Sequence, residues 1–191
     1  EKCSFFQRRI YLLGFVISAT GRRIDPRKVC DAMNWKAPRT GKQVQSIMGT
    51  INYFRSFIPN CSDLCAPIDR LRNEKDITKM WGPIHQRNFD CLKKILMSNT
   101  VLSHADLTRK FYVSVDASNF AISAVLTQRD EKDRIRLIGF MSRSLSKSER
   151  NYSTTKRELL AIVFALKKFH CFLWGREFRL FSDHRSLTYL H

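Results

Sequence analysis

Phe111-Tyr-Val-Ser-Val-Asp-Ala-Ser118 alternates apolar and polar side chains and ends on a carboxylate. In a strand, Phe111, Val113 and Val115 share one face and Tyr112 and Ser114 the other. Ala121 to Gln128 and Ile135 to Met141 read as two more strands, with the charged stretch Arg129-Asp-Glu-Lys-Asp-Arg134 as the hairpin turn between them. Ser153 to about Trp174 carries a long helical pattern, and Glu177 to Ser182 reads as a fourth strand. Three antiparallel strands, a helix and another strand make an α+β or mixed α/β unit.

Three acidic residues in this unit ask for an explanation. Asp116 ends the first strand, Glu158 sits near the start of the helix in Thr154-Thr-Lys-Arg-Glu158, and Asp183 ends the last strand in Phe178-Arg-Leu-Phe-Ser-Asp183. Hydrolysis of a phosphodiester by two metal ions needs several carboxylates around ions roughly 4 Å apart. Mg2+ suits such a site, because it takes oxygen ligands and keeps some of its waters; Mn2+ is an alternative. Carboxylates at strand ends and on an adjacent helix are held by the core yet reach solvent. Each also has a plain structural role open to it. Asp116 and Asp183 could start turns by bonding their own downstream backbone. Thr155-Lys-Arg-Glu158 fits a capping box, in which the Glu is purely structural.

Upstream, the pattern changes. Residues 4–24 read as two short strands around Thr20-Gly21, and Asp25-Pro26 opens a helix, Asp being a good cap and Pro suiting the first helical position. Thr40 caps a second helix bearing Val44, Ile47, Met48 and Ile51 at helical spacing. A third begins at about Ser62 despite Pro67, and a fourth covers about Pro83 to Met97 with Phe89, Leu92, Ile95 and Leu96. Short amphipathic helices with brief connections imply a small helical bundle. No catalytic pattern is visible in it. The fold class is α+β overall: a helical bundle followed by the unit of three antiparallel strands, a helix and a fourth strand.

The 191 residues hold 34 Lys and Arg against 17 Asp and Glu, a net charge of +17. Residues 1–108 contribute +9 (18 against 9) and residues 109–191 contribute +8 (16 against 8), so the charge is not confined to a tail. A basic field across both halves points to a polyanion, above all nucleic acid. With 43% hydrophobic residues the chain can bury a core, which excludes a disordered polymer. The longest apolar run, Leu159 to Leu166, is too short to span a bilayer. The six cysteines are scattered; Cys61 and Cys65 lie four apart and could share a helix face, but no second pair with metal spacing follows, so free thiols are expected. The reading is an intracellular protein without a membrane partner. Its start without Met suggests a piece of something larger.

Several motifs carry a family resemblance. Asp116-Ala-Ser-Asn-Phe-Ala-Ile-Ser-Ala-Val-Leu-Thr-Gln128 resembles the opening strands of the RNase H domain in gypsy-class LTR-retrotransposon pol polyproteins. Phe140-Met-Ser-Arg-Ser-Leu-Ser-Lys-Ser-Glu-Arg-Asn-Tyr-Ser153 looks like the next strand and its lead into the helix. Lys156-Arg-Glu-Leu-Leu-Ala-Ile-Val-Phe-Ala-Leu166 looks like the helix, and Ser182-Asp-His-Arg-Ser-Leu187 like the following strand end. Upstream, Leu13-Gly14-Phe15 with Gly21 is similar to the hairpin closing a reverse transcriptase palm. Trp35-Lys-Ala-Pro38, Gly49 with Asn52-Tyr53-Phe54-Arg55, and Phe57-Ile58-Pro59 look like its thumb. Trp81 with Phe89, Leu92 and Leu96 resembles the connecting segment.

The resemblance implies a division into palm end (1–24), helical thumb (25–80), connection (81–108) and RNase H-like domain (109–191). It implies metal-dependent hydrolysis of the RNA strand of an RNA–DNA hybrid, beside RNA-directed DNA synthesis in the complete protein. Asp116, Glu158 and Asp183 match three of the family's metal-binding carboxylates. Its partners would be the hybrid or template-primer and the rest of the pol polyprotein, in the cytoplasm within a virus-like particle or in the nucleus. Hybrids are read through backbone shape and 2′-hydroxyls, with binding that weakens as salt rises. The family's fourth carboxylate lies well downstream of the third, and its polymerase residues lie upstream of Glu1. Weak or no cleavage is therefore expected from these residues alone, and a non-catalytic nucleic-acid-binding remnant is the alternative. Ala121 and Ser123 stand where the family often has glycine, with side chains that would crowd a close-approaching backbone.

Overall fold

The computed structural model describes residues 6–183, and within them the chain builds two hydrophobic cores. The first begins with an antiparallel sheet of β1 (Arg9–Leu12), β2 (Phe15–Ser18) and β3 (Gly21–Ile24). The sequence reads as two strands here. The structure has three, because Leu13 and Gly14, at φ 47° and 76°, turn the chain in the left-handed region between β1 and β2. Gly21 is required by close approach: Arg22 and Leu102 exchange both backbone hydrogen bonds at 2.8 Å, and a Cβ on Gly21 would lie 2.2 Å from the Leu102 carbonyl oxygen.

The helices follow their caps. Asp25 accepts the Arg27 amide at 3.0 Å and starts α1 (Pro26–Val29). Thr40 accepts the Gln43 amide at 3.4 Å and starts α2 (Gly41–Tyr53). Then come α3 (Cys61–Asp69), with Pro67 inside it, and α4 (Pro83–Met97). Val44, Met48 and Ile51 of α2, Ile68 of α3, and Phe89, Leu92 and Leu96 of α4 meet in one core with Ile24 and Leu102. Helices on both sides of residue 80 thus pack together.

The second core is built on a four-stranded sheet of order β6-β5-β4-β7. Its strands β4 (Phe111–Ala117), β5 (Ala121–Arg129) and β6 (Ile135–Ser144) are antiparallel, and β7 (Phe178–Phe181) lies parallel to β4. A parallel pair needs a crossover, here α5 (Thr154–Lys168), whose Ala161, Phe164 and Ala165 cover Phe111, Val113 and Val115. At roughly 1.5–3 kcal/mol for each large apolar side chain fully buried, this contact fixes which face of β4 looks inward. The helical pattern from Ser153 to Trp174 breaks at Phe169, which leaves helical geometry (φ −96°, ψ 12°) before the short α6 (His170–Leu173). The whole is α+β, as the sequence implies. Among the described residues no helix is long and apolar enough to cross a membrane.

A polar seam joins the two cores. Arg55 donates to the Ser142 carbonyl at 2.7 Å, and the Ser62 amide and hydroxyl reach the Ser142 hydroxyl at 3.1 and 3.0 Å. Arg70 lies over the Phe120 ring at 5.4 Å.

Candidate active site and nucleic-acid interface

Strands β4 and β7 pair from Phe111 with Phe178 through to Ser114 with Phe181. The pairing stops at Ser114 and Phe181, two residues before Asp116 on one strand and two before Asp183 on the other. Both aspartates are exposed. Glu158 approaches from α5, which lies over the Val115 face, and is only 3% exposed. The Ser182 hydroxyl donates to the Glu158 carboxylate at 3.4 Å, tying the end of β7 to the first turns of the helix. All three carboxylates therefore belong to one end of the sheet. They do not close into a cluster: among the described residues no group of three His, Cys, Asp or Glu side chains could hold a metal ion. The donor set is nonetheless all oxygen, the chemistry that a hard divalent cation requires.

The structural roles open to these residues can be compared with the geometry. The cap of α5 is Ser153, which accepts the Lys156 amide at 3.4 Å, so Thr155 lies inside the helix and no Thr155–Glu158 capping box forms. The turn after β4 is held by Ser118, whose hydroxyl accepts the Phe120 and Ala121 amides at 3.0 and 2.9 Å. The Asp116 side chain makes no hydrogen bond or ion pair among the described residues. The stretch after Asp183, His184-Arg-Ser-Leu187, lies outside them. Ala121 and Ser123 are buried in the sheet, and Ser123 pairs with Asp116 across β4 and β5.

A fourth carboxylate, invisible to sequence reasoning, comes from the helical core. Asp63 of α3 accepts the Ser118 hydroxyl at 2.6 Å. Burial pushes its carboxyl up from the usual range, the Ser118 bond opposes this, and the charge of Asp116 adds to the rise. The contact spans 55 residues of sequence and depends on how α3 seats on the β4–β5 turn. No local pattern could have announced it. From the other side, Arg157 of α5 donates to the Ser118 carbonyl at 3.2 Å and to the Asn119 side chain. The turn beside Asp116 is thus held from two directions.

A second feature lies on the helical core. Between the β1–β2 turn and α2 is a groove of about 510 Å3 lined by Leu13, Gly14, Lys28, Gly49, Tyr53 and Phe54. Tyr53 donates its hydroxyl hydrogen to the Leu13 carbonyl and stacks on Phe15, which fixes the groove's floor. Gly49 is exposed in the body of α2, and a Cβ there would meet nothing within 4 Å. Glycine inside a helix costs about 0.5–1 kcal/mol relative to alanine. Among the described residues nothing packs close enough to call for it at this position. Arg27, Lys28, Arg39 and Lys42 are exposed on the same helical half, where they supply positive charge to the solvent.

Comparison with known proteins gives a consistent result. Residues 81–180 match the family model described as the RNase H-like domain found in reverse transcriptase. The Tf2-3 and Tf2-4 transposon polyproteins of Schizosaccharomyces pombe are each 34% identical over 188 residues, covering 97% of this chain and 14% of each relative. The chain thus spans about a seventh of the length of these relatives. Among solved structures, a foamy viral protease-reverse transcriptase in complex with RNA/DNA hybrid shares the fold with a TM-score of 0.75 at 23% identity, over 96% of this chain and 25% of that one. The same viral protein in complex with dsDNA also aligns at 0.75, with 24% identity over 95% of this chain and 38% of that one.

Proposed function

We propose that this chain, which belongs to the family of RNase H-like domains found in reverse transcriptase, grips an RNA–DNA hybrid and contributes the carboxylates that hydrolyse its RNA strand in the complete polyprotein. The observation that carries this reading is the parallel pairing of β4 with β7, which ends two residues before Asp116 on one strand and Asp183 on the other, with Glu158 bonded by the neighbouring Ser182. Asp116, Glu158 and Asp183 are the residues that would hold Mg2+ or Mn2+. Such an ion, when bound, supplies an activated water and charge stabilisation at the scissile phosphate. The chain's own part is to keep three oxygen donors at one sheet end, with the Asp116 carboxylate engaged by no other described side chain.

Binding to the hybrid draws on the net charge of +17 and on the open groove beside Gly49, where backbone can approach backbone without a side chain between. The foamy viral relatives in fold are held on RNA/DNA hybrid and on dsDNA, which supports a duplex as the partner. The remainder of a retrotransposon polyprotein is the other partner, and the setting is intracellular.

The test is cleavage of hybrid RNA by the full-length parent protein with and without Mg2+. Cleavage that requires Mg2+ and is lost in Asp116→Asn and Glu158→Gln supports the reading; full activity in either variant overturns it. A second reading, nucleic-acid binding without chemistry, draws on the absence of a closed carboxylate cluster among the described residues. It predicts hybrid binding that falls with salt and is indifferent to Mg2+ and to Glu158→Gln.

A further inference from the structure

The polar seam between the two cores contains a pair of thiols that the proposed hydrolysis does not use. Cys61 and Cys65 lie one turn apart on α3, with sulfurs 3.8 Å apart and both reduced. They line a cavity of about 210 Å3 together with Asn52, Arg55 and Asp69 from the helical core and Arg143 from β6. The space is large enough for a small oxidant, and the Arg55 charge acts on both thiols. We propose that Cys61 and Cys65 are an oxidisable dithiol that closes to a disulfide with a peroxide and thereby loosens the seam between the two cores.

The two sulfurs are not equivalent. The two thiols share a hydrogen bond, and this bond, helped by the nearby Arg55 charge, draws the Cys61 thiol below its ordinary value despite burial. Cys65 moves the other way, raised by the same bond and by burial. We assign Cys61 as the nucleophile and Cys65 as the resolving thiol, roles that single serine variants distinguish. The Cys61 thiolate attacks one peroxide oxygen and the O–O bond breaks, giving a sulfenic acid and hydroxide. The Cys65 sulfur then attacks the sulfenic sulfur, its proton and the hydroxyl leave as water, and the S–S bond forms. Two thiols are oxidised and one peroxide is reduced to two waters.

Closure has a mechanical consequence. Cβ atoms four apart on a helix are about 5–6 Å from each other, whereas a disulfide holds them at about 3.5–4.5 Å. The first turn of α3 must therefore distort. Ser62 lies within that turn, and its amide and hydroxyl are the groups that bond Ser142 of β6. Arg55, which bonds both Ser62 and the Ser142 carbonyl, sits against the same pair. Oxidation pulls on the contact that registers the helical core against the sheet.

The experiment treats the purified chain with hydrogen peroxide, blocks the remaining thiols and maps the cysteines by peptide mass spectrometry. The peptide holding Cys61 and Cys65 should lose the mass of two hydrogens before exposed Cys30 and Cys171 react, and regain it on reduction. Cys65→Ser should stop at a sulfenic acid on Cys61 that dimedone traps, while Cys61→Ser should leave Cys65 unmodified. Hydrogen exchange of the wild-type Ser62 amide should become faster on oxidation and recover on reduction. Absence of the two-hydrogen loss, oxidation no faster than at Cys30 and Cys171, or unchanged Ser62 exchange in the oxidised chain would each overturn the proposal. None of these readouts depends on hybrid binding or cleavage.

Discussion

Replacing Gly49 by alanine separates stability from nucleic-acid binding in one substitution. Gly49 is the ninth of thirteen residues in α2, exposed, with nothing within 4 Å of an added Cβ. The methyl group therefore costs no packing, while the loss of glycine's freedom in the unfolded chain favours the helix by about 0.5–1 kcal/mol. For a chain of this size that raises Tm by roughly 2–4 °C per kcal/mol. The same methyl projects into the groove shared with Leu13, Gly14 and Tyr53. If a duplex backbone seats there, the overpacking costs about 1 kcal/mol or somewhat more, a loss of roughly fivefold or greater in affinity. Thermal denaturation followed by circular dichroism, with fluorescence anisotropy on a labelled RNA–DNA hybrid, measures both. The salt dependence of binding should not change, because no phosphate contact is removed. Gly175→Ala is the control: its surroundings are equally empty, but its φ of +69° makes any side chain strained, so it should lower Tm and leave hybrid affinity alone. A more stable Gly49→Ala with unchanged affinity would refute the reasoning about the groove.

Gly21→Ala should destabilise by about 3 kcal/mol, measured by urea denaturation, because its Cβ would run into the Leu102 carbonyl at 2.2 Å and its φ of +140° excludes relief. Asp63 has a folded pKa raised above the unfolded value of about 3.9, so its favourable contribution is present below that pH and is lost as pH rises through the folded value. Asp63→Asn should match the parent near pH 3 and be more stable at neutral pH by less than about 1 kcal/mol, as thermal melts across pH would read. Glu149 goes the other way: the Arg143 guanidinium holds its carboxyl at about 2, so its contribution is full above the unfolded value near 4.3 and is lost as pH falls toward 2. Glu149→Gln should flatten the acid limb of the stability profile between about pH 4.5 and 2.

Much of the fold was legible because local chemistry and tertiary packing agree. The alternation in Phe111 to Val115 gave the buried face of β4, and the caps Asp25 and Thr40 stand where their sequence signals place them. The misses come from geometry that a residue type alone does not encode. Leu13 adopts a left-handed conformation that leucine rarely shows, so the third strand of the first sheet was hidden inside an apolar run. The helix after Ser153 breaks at Phe169 although no proline or glycine marks the spot. At the candidate site, Asp116, Glu158 and Asp183 were readable as carboxylates at strand and helix ends. Asp63 and the Ser62–Ser142 seam were not, since each joins residues more than fifty positions apart.

The central claim is that Asp116, Glu158 and Asp183 collect a hard divalent ion on a bound hybrid. The most direct measurement is Mn2+ binding by electron paramagnetic resonance to the full-length parent protein on an RNA–DNA hybrid, compared with its Asp116→Asn variant. The account predicts Mn2+ taken up by the parent complex beyond what the hybrid alone binds, and that excess reduced or lost in Asp116→Asn. Equal uptake by the two proteins would contradict it.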